Sequence, residues 1–362
     1  MLNAVLDGAS DAPISVLARL KLTSELTALL KEQAVIQPGA PMAALQSAKV
    51  ASKIIVVLGK LGVDLEAGRR AASAFQLEGG PEPVAQPRVS TAHFFDYDPN
   101  RKSSQRRKDN ADAIALLRRI DAGEVSADSL TDEQKQTLAK YSGTGGNLIG
   151  ADGLKGSAYE YYTPKPIAQG MWSLLAEMGF SGGKVLDPCA GVGVFGGTAP
   201  LNAAIEAVEL SEVSGRINQL VNGGPGYTAV VSPFEAVASR TADEQFDAVI
   251  SNVPFGGVHD RGANRKLDDR YQDDPLETYC ILRSLEKLKP GGLAAFIVPP
   301  RIVSGKGGRE EKLRIAMSYK AEFMGAYRLP NSVFGTADAD TITDVIVLRD
   351  DGCGLGEARG NG

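Results

Sequence analysis

The sequence is poor in the residues that hold small or secreted folds together: its 362 residues contain 3 cysteines, 2 histidines and 1 tryptophan. Cys189, Cys280 and Cys353 fit neither a disulfide framework nor a CxxC metal pair, and His93 and His259 leave zinc without a ligand set. No metal is therefore expected, and the compartment is expected to be reducing. Long apolar runs are missing too. The run at 54–58 is far below the roughly 20 residues that span a bilayer, and Met1 opens no basic, apolar, cleavable leader, so neither membrane insertion nor secretion is expected. Acidic residues outnumber basic ones, 44 against 39, for a net charge of −5. That balance excludes a protein coated in nonspecific phosphate contacts, and any nucleic-acid site has to be local. What is abundant is glycine, with 41 residues, in a chain that is 43% hydrophobic and long enough for about two domains.

Residues 1–78 set Leu17, Leu20, Leu22, Leu26, Leu29 and Leu30 at helical spacing, which predicts a helical module without an assigned role. Residues 79–90, with Gly79, Gly80, Pro81, Pro83 and Pro87, read as a linker. Residues 91–156 read as a helical lead-in. Its first helix is predicted over 109–119, preceded by the basic run Arg101, Lys102, Arg106, Arg107, Lys108. Its second is predicted over 131–141, where Thr131 and Gln134 have capping-box spacing. The glycine-dense segment 143–156 ends this part. From 157 to 350, β-rich runs at 184–187, 203–210, 228–231, 246–251, 293–298, 322–327 and 341–348 alternate with helices at 166–178, 212–221 and 276–288. Near-continuous apolar strands such as DAVIS and LAAFIV belong to a sheet covered on both faces, so the expected fold is a doubly wound α/β domain with ligands beyond the strands' carboxyl ends. Residues 351–362 read as a flexible tail.

The segment KVLDPCAGVGVFGG reads as a strand ending at Asp187, a tight turn holding Gly191 and Gly193, and a short helix opening near Val194. Glycine lets backbone and ligand approach where a Cβ would intervene. The next strand ends at Glu209, about twenty residues on, where a carboxylate can accept from two ribose hydroxyls. GVGVFG matches the dinucleotide spacing, but the acidic DPCAG turn sets a carboxylate near an amine-bearing ligand, and no GK[ST] phosphate loop is present.

After the fourth strand, Asn252, Val253, Pro254 and Phe255 resemble the (D/N)-P-P-(Y/F) signature of amino-methyltransferases, with Val253 in place of the first proline. Together with the glycine turn upstream, the order and spacing resemble S-adenosylmethionine-dependent methylation of an exocyclic or amide nitrogen. The chemistry suits those residues. An aryl amine is a poor nucleophile because its lone pair is delocalised. The Asn252 side-chain carbonyl and the Val253 backbone carbonyl can each accept one amine hydrogen and favour a pyramidal nitrogen. Pro254 stiffens the loop and Phe255 offers a stacking face for the base. Pro188-Cys189 is similar to the nucleophile dipeptide of cytosine-C5 methyltransferases, but it follows the first strand, so Cys189 is expected to be a small packed residue.

Further segments resemble one family. Tyr161, Tyr162, Thr163, Pro164 is similar to the YTP element of adenine-N6 methyltransferases; Leu288 to Gly292 to their LKPGG turn; and Arg328, Leu329, Pro330, Asn331, then Phe334, then Thr343, Asp344, Val345 to the ending of methylase modules in the helicase–methyltransferase fusions of phages and plasmids, which include defence-against-restriction proteins. The resemblance covers about residues 105–350. It implies a Rossmann-like methyltransferase fold with a seven-stranded, mostly parallel sheet, preceded by an α-helical N-terminal region. It implies S-adenosyl-L-methionine held by Tyr162, Thr163, Pro164, Asp187, Ala190, Gly191, Gly193, Phe195, Glu209 and Phe234. Glu235 stands near the place of the acidic residue usual beside the cofactor adenine. The implied activity is DNA adenine-N6 methylation of phage or mobile-element type, protecting DNA from restriction. Arg261, Arg265, Lys266, Arg301, Lys306 and Arg309, in two rim loops, are the DNA-binding candidates, and helicase or virion proteins the candidate partners, in host cytoplasm or virion interior. Two other readings stand beside it: an antirestriction or DNA-binding protein that keeps the fold without turnover, and an RNA or protein-glutamine methyltransferase.

Overall fold

The computed structural model describes residues 88–98, 100–143, 161–255, 258–330 and 342–352. The predicted module over 1–78, the linker up to Pro87, most of the glycine-dense segment, Phe334 and the tail from Cys353 lie outside these residues.

Seven strands form one sheet: β1 Gly183–Asp187, β2 Ala203–Glu209, β3 Tyr227–Val231, β4 Phe246–Asn252, β5 Leu288–Val298, β6 Ala321–Arg328 and β7 Asp344–Asp350. Their order is β3-β2-β1-β4-β5-β7-β6; the first five strands run parallel, and β7 is antiparallel to both β5 and β6. The helices are α1 Ser103–Asp121, α2 Asp132–Ala139, α3 Lys165–Glu177, α4 Val194–Thr198, α5 Glu212–Asn222, α6 Phe234–Arg240, α7 Leu276–Leu285, α8 Pro300–Ser304 and α9 Gly308–Ser318.

The apolar runs of the central strands are continuous because each face of the sheet has its own helical layer. Along β5, Ala295 and Ile297 enter one core with Trp172, Leu175 and Ile217, while Ala294, Phe296 and Val298 enter the other with Ile281, Leu313 and Met317. Val185 and Leu186 of β1 divide in the same way. A period of two thus places every second residue in a different core. The chain order reverses between β1 and β4, and this opens a crevice at the carboxyl edge where ligands of open α/β sheets bind.

All seven predicted strands are present with ends shifted by one to a few residues, and the capping box at Thr131 and Gln134 forms in both directions. Four expectations change. The segment 91–143 is not separate from the catalytic unit, since Phe95, Leu116 and Leu138 share a core with Val185 and Ile217. Arg88, expected in a linker, is buried, and its guanidinium donates to the carbonyls of Gly196 (2.7 Å) and Ala199, which closes the end of α4. The first helix starts at Ser103 and absorbs much of the basic run: Arg106 is buried against Ser142, Arg101 pairs with Asp109 at 2.9 Å and Lys108 with Asp112 at 2.7 Å. Finally, residues 308–318, read as part of a basic mobile loop, are helical. Leu313 and Met317, four apart, bury one face, and Arg314 donates to the carbonyls of Ile302 and Gly305 behind them.

Gly193 shows how tightly the glycine turn is built. It sits at φ +86°, and a Cβ there would lie 2.2 Å from Asn218 Oδ1 and 2.3 Å from Asn222 Nδ2, both on α5. Gly193→Ala is expected to cost about 2 to 4 kcal/mol through strain and displacement of this buried amide pair. Urea unfolding measures the loss, and a change below about 0.5 kcal/mol would contradict this packing.

Candidate active site

The crevice at the switch between β1 and β4 is a cavity of about 280 Å³. That is near the lower end of the roughly 300 to 1,000 Å³ usual for small-molecule sites. Its wall brings together Tyr161, Tyr162 and Thr163 ahead of α3, Ala190 and Gly191 of the glycine turn, Phe195, Glu209, Phe234, Asn252 and Pro254. Residues nearly a hundred positions apart meet here because β1, β2 and β4 end at the same edge.

Asp187 closes β1 with 1% exposure. Its Oδ1 accepts from the Ser251 hydroxyl at 2.9 Å and from the Cys189 N–H at 3.4 Å, whereas Oδ2 is buried without a hydrogen-bond partner. Burial pushes the carboxyl up to about 7, against those two hydrogen bonds, and the Glu209 charge adds to the rise. Glu209 at the end of β2 is fastened to the backbone: Oε2 accepts from Gly191 N–H and Oε1 from Ser211 N–H, each at 2.7 Å. Phe195 and Phe234 are 3% and 6% exposed and contribute apolar wall, and Phe234 is fixed edge-on against Tyr279 at 5.9 Å.

Asn252 donates from its amide NH₂ to the Tyr161 carbonyl at 2.9 Å. One end of the amide is thereby committed, which leaves the carbonyl end as the acceptor. Tyr161 takes part through its backbone, a role no side-chain pattern announces. The Val253 side chain is buried at 1% in the second core, so the residue that replaces proline also anchors the loop. Phe255 is half-buried against the same core and is not part of the cavity wall.

Several expected site residues do other work. Pro164 caps α3 and Gly193 faces α5; neither lines the cavity. A Cβ on Gly191 would meet the Tyr162 ring at 2.4 Å, so that glycine admits a protein aromatic, not ligand alone. Arg261 is 2% exposed and cannot reach DNA: Nε pairs with Glu235 at 2.9 Å, Nη1 donates to the Tyr271 carbonyl at 2.6 Å, and the guanidinium lies 3.9 Å from the Tyr279 ring centre. Glu235 lines the cavity but is bound up in this pair. Arg301 is held by Glu277 at 2.6 Å and faces Glu310 at 3.8 Å. Lys266, Lys306 and Arg309 are exposed, and Arg265 is 39% exposed with Asp273 at 4.0 Å.

The cavity also contains Leu276 and Cys280, four apart on one face of α7, and Cys189, which is half-buried instead of fully packed. The two sulfurs are 3.8 Å apart. Their mutual hydrogen bond, then burial, push the Cys189 thiol up, which makes it a poor nucleophile at neutral pH. Among the described residues no group of three His, Cys, Asp or Glu could hold a metal, and no helix is long and apolar enough to cross a membrane.

These donors and acceptors match the parts of S-adenosylmethionine. Asp187 does not itself line the cavity but lies next in sequence to its wall at Pro188; its orphaned Oδ2 and the buried, unpartnered Thr163 hydroxyl suit an amino-acid end, Glu209 suits a ribose diol, and Phe195 and Phe234 suit an adenine. Because the Asp187 carboxyl is raised from its ordinary range near 4 to about 7, its own contribution to ligand-free stability is fully present below pH 4 and is lost as pH rises through 7, by about 4 kcal/mol at most. Comparing urea unfolding of the parent and Asp187→Asn between pH 4.5 and 7.5 isolates this effect. The parent is expected to lose stability relative to the variant; parallel curves would contradict the assignment.

Residues 228–352 match the N-6 DNA Methylase family. The chain is 44% identical over 245 residues, 67% of its length, to Defense against restriction protein B of Escherichia phage P1, and this region is 10% of that protein. It is 24% identical over 205 residues to the Type I restriction enzyme EcoEI methylase subunit of Escherichia coli, covering 49% of this chain and 40% of that one. The chain thus spans a tenth and two fifths of these relatives. Among solved structures, a class I S-adenosylmethionine-dependent methyltransferase from Listeria monocytogenes aligns over 66% of this chain and 74% of its own, at 16% identity and a TM-score of 0.48.

Proposed function

This chain belongs to the N-6 DNA methylase family, and on that premise we propose that it transfers a methyl group from S-adenosylmethionine to adenine N6 in DNA, in the service of a phage or mobile element that protects its DNA from restriction. The observation that carries this reading is an amide acceptor on an open cavity beside an unsatisfied carboxyl: Asn252 lines the cavity, and Asp187, which ends the neighbouring strand with one oxygen buried and unpartnered, immediately precedes the wall residues Pro188 to Gly191. Asp187 and Thr163 hold the amino-acid end of the cofactor, Glu209 its ribose, and Phe195 and Phe234 its adenine. Bound there, the cofactor supplies an electrophilic methyl sulfonium.

The protein's own part is to hold the target amine in line with that methyl group. The Asn252 carbonyl accepts one amine hydrogen and the Val253 backbone carbonyl the other. Both acceptors gain strength as positive charge develops on nitrogen, so they stabilise the transition state more than the ground state. Asn252 is preorganised for this by its bond to Tyr161. The burial of Val253 does for the loop what the usual proline does, through packing instead of a ring. Pro254 lines the cavity with Asn252, while Phe255 anchors the loop on the second core. No strong base is needed, because the proton leaves the methylated nitrogen after its pKa has fallen.

A protein without turnover would close the space beside Asn252 with a side chain, but Asn252 and Pro254 line the open cavity, which supports the enzymatic reading. DNA, not RNA or a protein amide, is the substrate indicated by the family that spans β3 to β7. The exposed Lys266, Lys306 and Arg309, with Arg265, are proposed to meet the phosphates; the N-terminal region and partner proteins are proposed to add affinity.

The test separates binding from chemistry. Asn252→Ala is expected to lower methyl transfer to unmodified DNA by about 10²-fold or more while cofactor affinity by calorimetry changes less than about three-fold. A variant that transfers methyl groups as well as the parent would overturn this assignment.

A further inference from the structure

The chain between the catalytic motif and α7 is pinned at two points. At the near one, the Arg261 guanidinium is buried on Glu235 and Tyr279 and also donates to the carbonyls of Tyr271 and Asp274. At the far one, Asp268, 2% exposed, accepts from the Tyr279 hydroxyl at 2.8 Å and from Arg283 Nε at 2.7 Å. Asp260, beside the first pin, and Leu276, at the end of the segment, both line the cofactor cavity.

Between the pins, residues 262–267 form a short arch. Its turn is made at Gly262, with φ 51° and ψ −132°, and it is closed by the Leu267 N–H donating to the Asn264 carbonyl at 2.8 Å. The arch presents outward a leucine that is 47% exposed, preceded by Arg265 at 39% and by exposed Lys266; Asp269 bounds the cationic stretch on the far side. Leu267 is seven residues along the chain from Asp260 at the cavity wall, a reach of at most about 25 Å. A large apolar side chain held outward by a doubly anchored loop gains nothing from the core of this protein. Its position and neighbours suit an apolar gap in a polyanion.

We propose that Leu267 is the wedge that enters duplex DNA where the target adenine leaves the stack, with Arg265 and Lys266 on the flanking phosphates. This rests on the methyltransferase reading above and goes beyond it. Drawing a base out of a duplex leaves a hole lined by the faces of its two neighbours. An apolar side chain that fills the hole lowers the cost of extrusion, while phosphate contacts fix its register. Leucine has no hydrogen-bonding group and no flat ring, so it fills the gap without reading the orphaned partner base. Recognition of sequence is left to other parts.

The full chain with Leu267→Ala tests this on unmodified genomic DNA, native and heat-denatured, with methyl transfer as the readout. A wedge matters only where a stack must be opened. The ratio of native to denatured rates is expected to fall about ten-fold in Leu267→Ala and to recover in Leu267→Met. An unchanged ratio, whether the two rates stay the same or fall together, overturns the wedge alone. A parent chain that transfers to neither DNA overturns the methyltransferase reading and the wedge with it.

Discussion

The hydrogen bond from Ser251 to Asp187 ties the carboxyl ends of β4 and β1 together at 2.9 Å, and the site depends on what it joins. Parallel pairing of Val185 with Ala248 and of Leu186 with Val249 sets the register of these two strands. A slip of one residue would exchange the two cores and break this hydrogen bond. Because the order of the sheet reverses here, no crossover helix covers this edge. The same geometry explains the perturbed carboxyl: Asp187 is buried by the sheet, supplied with hydrogen bonds on one oxygen and left without any on the other. An uncompensated buried polar atom is costly, and a cationic ligand removes the cost.

Around this edge the protein separates rigid from exposed function. Glu209 is braced by two backbone N–H groups, Asn252 by a carbonyl, and Phe234 by Tyr279. None of these side chains can swing freely, as expected where acceptors must be in place before charge develops. The cations split into two classes. Arg261 and Arg283 are buried struts that hold the segment after the catalytic motif, while Lys266, Lys306 and Arg309 remain at the surface. A net charge of −5 is compatible with a local polyanion site because the exposed Lys266, Lys306 and Arg309 supply positive charge locally.

Much of this was legible in the sequence because strands covered on both faces leave apolar runs, and because Asp187, Glu209 and Asn252 end such runs. The lead-in's union with the catalytic core was not legible, since the contacts of Phe95 and Arg88 with α4 and its neighbourhood lie about a hundred residues away. The fate of Arg261 could not be read either. An arginine in a basic loop carries the same local pattern whether it is solvated or buried on Glu235, twenty-six residues earlier. The helix over 308–318 was not legible because Gly305, Gly307 and Gly308 and the charges that follow them resemble a loop, while only Leu313 and Met317 mark the buried helical face. The part of Tyr161 is a backbone carbonyl, invisible to any reading of side chains.

The central claim is that one edge of this sheet holds a methyl donor and an exocyclic adenine amine together. Transfer of an isotopically labelled methyl group from S-adenosylmethionine to unmodified DNA, followed by digestion and separation of the nucleosides, tests it most directly. The label is expected in N6-methyldeoxyadenosine alone; label in a methylated cytosine, or none in any nucleoside, would contradict it.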